Sequence, residues 1–274
     1  MRHLAIWSLA AATALTSGFP FSASANPVTE TPAAQNATTQ NSPGTGPAAM
    51  DRAQIEQIVR DYLVKNPEIL IEMQTALEDK QKEAQRLAAI ETIKTSAADI
   101  FNSPADAVVG NPKGKTTIVE FYDYNCGFCK RALTDMQALT AADPELRFVL
   151  KELPILGPDS QKAHVVAQAF QRMMPEKYLD FHLRLLGSEG RATEETAILT
   201  AVSLGADEKA LRAEMAKPET AETLQKTYAL AEKLAITGTP SYVVGDQVMF
   251  GAVGPSALSR RIAEARAQCE TAAC

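Results

Sequence analysis

Thr116-Thr117-Ile118-Val119-Glu120-Phe121-Tyr122, then Asp123-Tyr124-Asn125, then Cys126-Gly127-Phe128-Cys129, is the stretch that decides the fold. The first seven residues are β-branched, apolar or aromatic apart from one acid, the composition of a buried strand. Beyond the cysteines, Leu133, Met136 and Leu139 recur at helical spacing between Lys130 and Ala142. The order is strand, short loop, CxxC, helix. Two intervening residues bring both sulfurs into one helical turn, where they can cycle between dithiol and disulfide with little backbone movement. At a helix N-terminus, free N–H groups and the helix dipole stabilise a thiolate at Cys126. Cys126 is therefore the expected nucleophile, and Cys129, one turn deeper, the thiol that resolves the mixed disulfide. Zinc is the competing reading, since CxxC also supplies two metal ligands, but no histidine or second CxxC stands at an ordinary spacing. The expectation is a redox pair with no metal and no cofactor beyond its own cysteines.

Working outward, Ala107-Val108-Val109 reads as a short strand ending at the turn-rich Gly110-Asn111-Pro112-Lys113-Gly114, and Arg147 to Leu153 as a further strand. Most of Ser160 to Leu234 reads as helices punctuated by Pro175, Gly187 to Gly190, Gly205 and Pro218. Strands return at Ser241–Val244 and Val248–Phe250, and a helix from about Pro255 to Cys269 closes the chain. A βαβ start, a helical insertion over about 158–235 and a ββα finish make an α/β domain spanning 104–274. The 274 residues are 46% hydrophobic and 22% charged, which excludes a disordered or polytopic membrane protein. A formal charge of −6 without a basic run leaves nothing to neutralise a row of phosphates, so no nucleic-acid partner is expected.

Residues 1–25 combine a cationic start, an apolar run from Leu4 to about Leu15 and Ala23-Ser24-Ala25, the pattern of a cleaved secretory signal. The run is too short to span a bilayer comfortably, and an uncleaved anchor would place the domain in the same compartment. Disulfides are permitted there. Residues 26–49 are rich in Pro, Thr, Ala and Asn and read as a disordered linker. Residues 50–103 read as helical. Asp51 is an N-cap, Ile55, Ile58, Val59, Tyr62 and Leu63 share a face, and Asn66-Pro67 is expected to stop one helix and open the next. Leu70, Met73, Leu77, Ala84 and Leu87 sit near heptad spacing, and Ile90, Ile93, Ala97 and Ile100 continue the stripe after a phase shift. Such a stripe packs either on its own domain or on another copy of itself, and self-association is the favoured reading.

The run Val119 to Cys129 resembles the active-site strand and helix of the DsbA-like thiol–disulfide oxidoreductases, a branch of the thioredoxin fold. Thr237-Gly238-Thr239-Pro240-Ser241-Tyr242 is similar to that family's loop, in which a cis-proline faces the CxxC. The resemblance covers roughly Ala107 to Arg266. The preceding helices resemble, more loosely, the oligomerisation region of the trimeric suppressor-of-copper-sensitivity C (ScsC) branch. The family implies a thioredoxin fold with a helical insertion behind an α-helical stalk. It also implies that Thr239 and Pro240 pair with an extended substrate, and that Glu120 assists proton transfer beneath the thiols with Lys151 as its partner. Read from the residues alone, Glu120 is an acid in an apolar strand that needs solvent or a partner, and it also fits an ordinary edge-facing acid. Phe128, between the thiols, is expected to contact substrate and tune them.

Cys269 and Cys274 form a second close pair that suits a local structural disulfide, pairing between chains, or a metal. His164 and His182, on amphipathic helices, read as core or surface histidines rather than ligands. These readings converge on a periplasmic thiol–disulfide oxidoreductase, isomerase or oxidase, acting on exported proteins. Its redox partner would be a membrane protein of unspecified identity, and the chain would be a homo-oligomer for which a trimer is one candidate. The alternative is a thiol-based copper-binding or metal-delivery protein, since soft thiolates favour Cu(I).

Overall fold

The structure, a computed structural model, describes residues 51–271. The expected signal segment (1–25) and linker (26–49) lie outside the described residues, as do the side chains of the expected Cys269 and Cys274 pair. The chain divides into two units after Arg60. Helix α1 (Arg52–Lys65) opens as expected at Asp51. The Asp51 carboxylate accepts the Gln54 N–H at 2.8 Å while the Gln54 side chain accepts the Asp51 N–H at 3.2 Å, a reciprocal cap.

Asn66 behaves differently from expectation. Its side-chain amide donates back to Tyr62 O at 2.8 Å, closing α1, and the N-cap of α2 is Glu68, without a side-chain cap bond. Helix α2 (Ile69–Thr95) starts after an intervening turn at Pro67 and Glu68, with Ile69 N–H donating to Asn66 O. The expected stripe then splits in two. Leu70, Met73, Leu77 and Leu87 are each more than half exposed, whereas Ile93, and Ile100 on the short α3 (Ala97–Phe101), are buried against the sheet. The phase shift marks where the helix begins to serve the domain's own core.

Strands β1 (Ala107–Gly110), β2 (Thr116–Tyr122), β3 (Leu146–Glu152), β4 (Ser241–Val244) and β5 (Gln247–Phe250) form one sheet in the order β1-β3-β2-β4-β5. β2 and β3 are parallel, and the other neighbours are antiparallel. A parallel pair needs a crossover, supplied here by α4 (Gly127–Ala142). β3 starts and ends one residue earlier than the sequence suggested, although Leu153 N–H still donates to Tyr122 O at 2.8 Å. The insertion comprises α5 (Pro158–Met173), α6 (Tyr178–Leu186), α7 (Glu194–Ser203), α8 (Glu208–Met215) and α9 (Pro218–Lys233), and α10 (Pro255–Thr271) ends the described chain.

Both faces of the sheet are covered, so β2 and β3 are buried almost throughout and read as continuous apolar runs. Ile118, Tyr122, Phe148 and Leu150 join one core with Leu133 and Met136 of α4 and Phe170 and Phe181 of the insertion. Val119, Phe121, Val149 and Leu153 join the other with Ile93, Ile100, Leu230 and Leu234. Strand alternation thus separates the even-numbered residues of β2, on the α4 face, from the odd-numbered ones. Among the described residues no helix is long and apolar enough to cross a membrane.

Candidate active site

Cys126 is the N-cap of α4, with extended backbone dihedrals. It sits there because β2 ends at Tyr122 and the three-residue loop is fastened on all sides. Asp123, fully buried, accepts Asn125 N–H at 2.7 Å and Ser160 Oγ–H at 2.8 Å through Oδ1, and Leu156 N–H at 2.9 Å through Oδ2. Its carbonyl takes Cys126 N–H at 3.0 Å. Asn125 is bound both ways to Ala192, donating to its carbonyl at 2.9 Å and accepting its N–H at 2.8 Å. Behind the pair, Lys130 Nζ donates to Ser188 O at 2.6 Å and Gly190 O at 2.8 Å. The CxxC is held between strand, helix and insertion.

Both cysteines are free thiols. As a thiol, Cys126 can donate to the Thr239 carbonyl, 3.1 Å from Sγ. The thiolate has more partners. The Cys129 side chain, the Thr239 side chain and the N–H groups of Cys129 and Phe128 all favour the anion, and against the opposing effect of burial they bring Cys126 down to about 5. Cys129 is wholly buried, and burial together with its bond to Cys126 pushes its thiol well above the ordinary range. One sulfur is ionised at neutral pH and the other stays protonated, an asymmetry that separates attacker from resolver.

Glu120 lies on the α4 face of β2, 4% exposed. Burial raises its carboxyl to about 8, with Cys126 and Asp135 adding to the rise and a 3.5 Å hydrogen bond from the Tyr242 hydroxyl opposing it. A carboxyl that titrates near 8 beside a protonated Cys129 can take and return a proton near neutral pH. Tyr242, which faces Glu120 across the β2–β4 pairing, is a site residue that reading the sequence missed. Antiparallel pairing of the strand after Pro240 with β2 is the signal that would have found it.

Lys151 is not the partner of Glu120, which corrects the expectation. The parallel register pairs Lys151 with Phe121 and Glu120 with Leu150, so the two charges project from opposite faces of the sheet. Lys151 instead forms a buried ion pair with Asp106 and donates to Asp99 O at 2.6 Å, tying β3 to the end of α3. Burial outweighs that lysine and raises Asp106 to about 6.

Around the thiols, the Thr239–Pro240 peptide is cis, as the family likeness implied. Phe128 is 58% exposed beside Cys126 with the Arg131 guanidinium 4.3 Å above its ring, so it is a surface residue available to a partner. Beneath the loop lies a buried polar cluster. His164, expected either at the surface or satisfied in the core, is wholly buried and accepts the Tyr124 N–H at 3.2 Å. His182 packs edge-on to Tyr122, and burial with His164 nearby lowers it to about 3, keeping it uncharged.

Fold and site together define a thioredoxin-fold protein with an activated thiol set over a protonated one. The chain belongs to the DsbA-like thioredoxin domain family, which it matches over residues 117–263. Residues 51–84 match the N-terminal domain of the copper resistance protein ScsC. Among solved structures, a thioredoxin-like oxidoreductase from Silicibacter pomeroyi is 41% identical, covering 62% of this chain and 97% of its own, with a TM-score of 0.59. A linker-deleted ScsC variant of Proteus mirabilis is 28% identical over 81% of this chain and 100% of its own, with a TM-score of 0.62. The Disulfide bond formation protein D of Bacillus subtilis is 27% identical over 156 residues, 52% of this chain and 68% of that protein. The chain spans 28% of another relative, the Na(+)/H(+) antiporter NhaA 1 of Salinispora arenicola, at 23% identity over 186 residues, 66% of this chain.

Proposed function

We propose that this protein is a periplasmic thiol–disulfide oxidoreductase that exchanges disulfides with exported proteins through Cys126 and Cys129. The observation that carries this reading is the placing of the two thiols, Cys126 as the N-cap of α4 beside the Thr239–Pro240 loop and Cys129 wholly buried behind it, which lowers Cys126 to about 5 and raises Cys129. The Cys126 thiolate attacks a substrate disulfide, and one substrate sulfur leaves as a thiolate while the other stays bonded to Cys126. Deprotonated Cys129, its proton passed to Glu120, then attacks Cys126, releasing the second substrate thiol and leaving the Cys126–Cys129 disulfide. Oxidation of a substrate dithiol runs the same steps backwards. A membrane redox partner would restore whichever form is consumed.

The exposed apolar side chains of α1 and, separately, of α2 support a homo-oligomer, and the ScsC-type match over residues 51–84 points the same way. Several domains around a shared space would keep a misfolded substrate close during rearrangement, which favours isomerisation. The test is scrambled-ribonuclease refolding beside dithiol oxidation by the full chain. Recovery of native ribonuclease with the Cys126–Cys129 pair reduced is expected, and failure in both assays would overturn the reading. The likeness to a copper resistance protein keeps a second reading in view, Cu(I) held by the two thiolates. Among the described residues no group of three metal-binding side chains gathers, so that reading rests on the cysteine pair alone. Stoichiometric Cu(I) retention with no exchange activity would favour it.

A further inference from the structure

From Tyr124 to the nucleophile the chain has three backbone donors, and two are satisfied locally: Asn125 N–H by the Asp123 carboxylate and Cys126 N–H by the Asp123 carbonyl. The third, Tyr124 N–H, is buried and leaves the loop altogether. It donates to Nε2 of His164, forty residues on, in α5 of the insertion. A backbone N–H can only donate, so Nε2 must be bare and the ring proton must sit on Nδ1. Nδ1 lies 2.7 Å from Oε2 of Glu152, the last residue of β3, both side chains being enclosed. Oε1 of the same carboxylate accepts the Tyr178 hydroxyl at 2.6 Å. The Tyr178 oxygen stands 2.8 Å from the Tyr122 hydroxyl and 3.3 Å from that of Tyr124, returning to the residue where the chain of contacts began. Tyr124 is thus gripped at its amide by His164 and at its hydroxyl by the tyrosines, with Glu152 selecting the ring tautomer that makes the grip work.

We propose that His164, oriented by Glu152, is a positioning residue for the Cys126 nucleophile. It fixes the backbone two residues before the sulfur and so holds the thiolate where the N–H groups of Phe128 and Cys129 can stabilise it. A packing role alone needs neither the unprotonated Nε2 nor the carboxylate behind it. The inference rests on the exchange reading of the site, but its main readout does not, because thiolate formation at Cys126 can be titrated by ultraviolet absorbance in the reduced protein whatever its substrates.

The experiment compares His164→Leu, His164→Gln and Glu152→Gln in the full chain. Leucine fills the space without an acceptor, and misplacement of the loop should raise the Cys126 titration midpoint by about one pH unit and slow exchange about tenfold. Glutamine offers an oxygen to Tyr124 N–H and an amide to Glu152, and should restore the parent midpoint and bring exchange to within about twofold of the parent rate. Glu152→Gln leaves the ring free to take either tautomer and should give an intermediate loss, about threefold. A folded His164→Leu protein with the parent midpoint overturns the proposal. Should that variant not fold, parent values in Glu152→Gln overturn it equally. Absence of exchange in the parent chain would defeat the functional reading while leaving the titration to decide the role of His164.

Discussion

Replacing Glu120 by glutamine removes a titrating proton from the interior while keeping the side chain's size. In the folded protein the carboxyl titrates at about 8, against an ordinary 4.5. Because the folded value is the higher, the contribution of this group to stability is fully present below pH 4.5 and is lost as the pH rises to about 8. At about 1.4 kcal/mol per pH unit, retaining this proton leaves the native state about 3 kcal/mol less stable at pH 7 than at pH 4.5. Glutamine has no such dependence. Relative to the parent, Glu120→Gln should therefore gain about 3 kcal/mol between pH 4.5 and 7, and about 4 kcal/mol by pH 8, beyond which the difference levels off. Urea denaturation of both reduced proteins at several pH values measures the difference directly. The same substitution should slow the resolving step about tenfold or more, since Cys129 loses its proton acceptor. A stability difference that stays flat from pH 4.5 to 8.5 would refute the reasoning, whatever happened to the rate.

Cys126→Ser should abolish exchange, whereas Cys129→Ser should accumulate mixed disulfides visible on non-reducing gels; equal trapping by both variants would reverse the assignment. Lys151→Met leaves Asp106 without its buried partner and should cost about 3 kcal/mol, lowering the melting temperature by roughly 6–12 °C with little change in the Cys126 titration. A large change in that titration would put Lys151 back in the site. Removal of residues 26–88, sparing Ile93 and Ile100, should give a monomer by light scattering that still oxidises thiols but unscrambles ribonuclease poorly. Extending the deletion past Ile100 should destabilise the domain as well, by roughly 1.5–3 kcal/mol for each buried isoleucine lost.

What the sequence disclosed was what local pattern encodes. The strand Thr116–Tyr122, the CxxC at a helix start and the return to strands after Pro240 each depend on neighbours a few residues apart, and each stands within a residue or so of its expected place. The errors arose where the answer lay between elements. Lys151 stands beside Glu120 in a list of strands, but a register offset of one residue puts it on the other face. Asn66 has the right side chain for a forward cap, and only the nearby Tyr62 carbonyl shows that it turns backward. Tyr242 and His164 depend on pairings separated by 122 and 40 residues, a range that no periodicity reaches. The phase shift in the α2 stripe was legible, but not that the half from Ile93 on is buried, because the sheet that claims it comes later in the chain.

The bonds of Asn125 and Lys130 to residues 188–192 bear on how the molecule comes apart. They attach the helical insertion to the residues on either side of the redox pair. The insertion is therefore not a detachable lid, since opening that loop would strip hydrogen bonds from the shoulders of the catalytic helix. Insertion and sheet should melt as one cooperative unit, and amide hydrogens in α5 and in β2 should exchange with solvent at a common, slowest rate. An insertion transplanted from a relative would carry its redox chemistry across intact only if the residues before and after the nucleophile travelled with it.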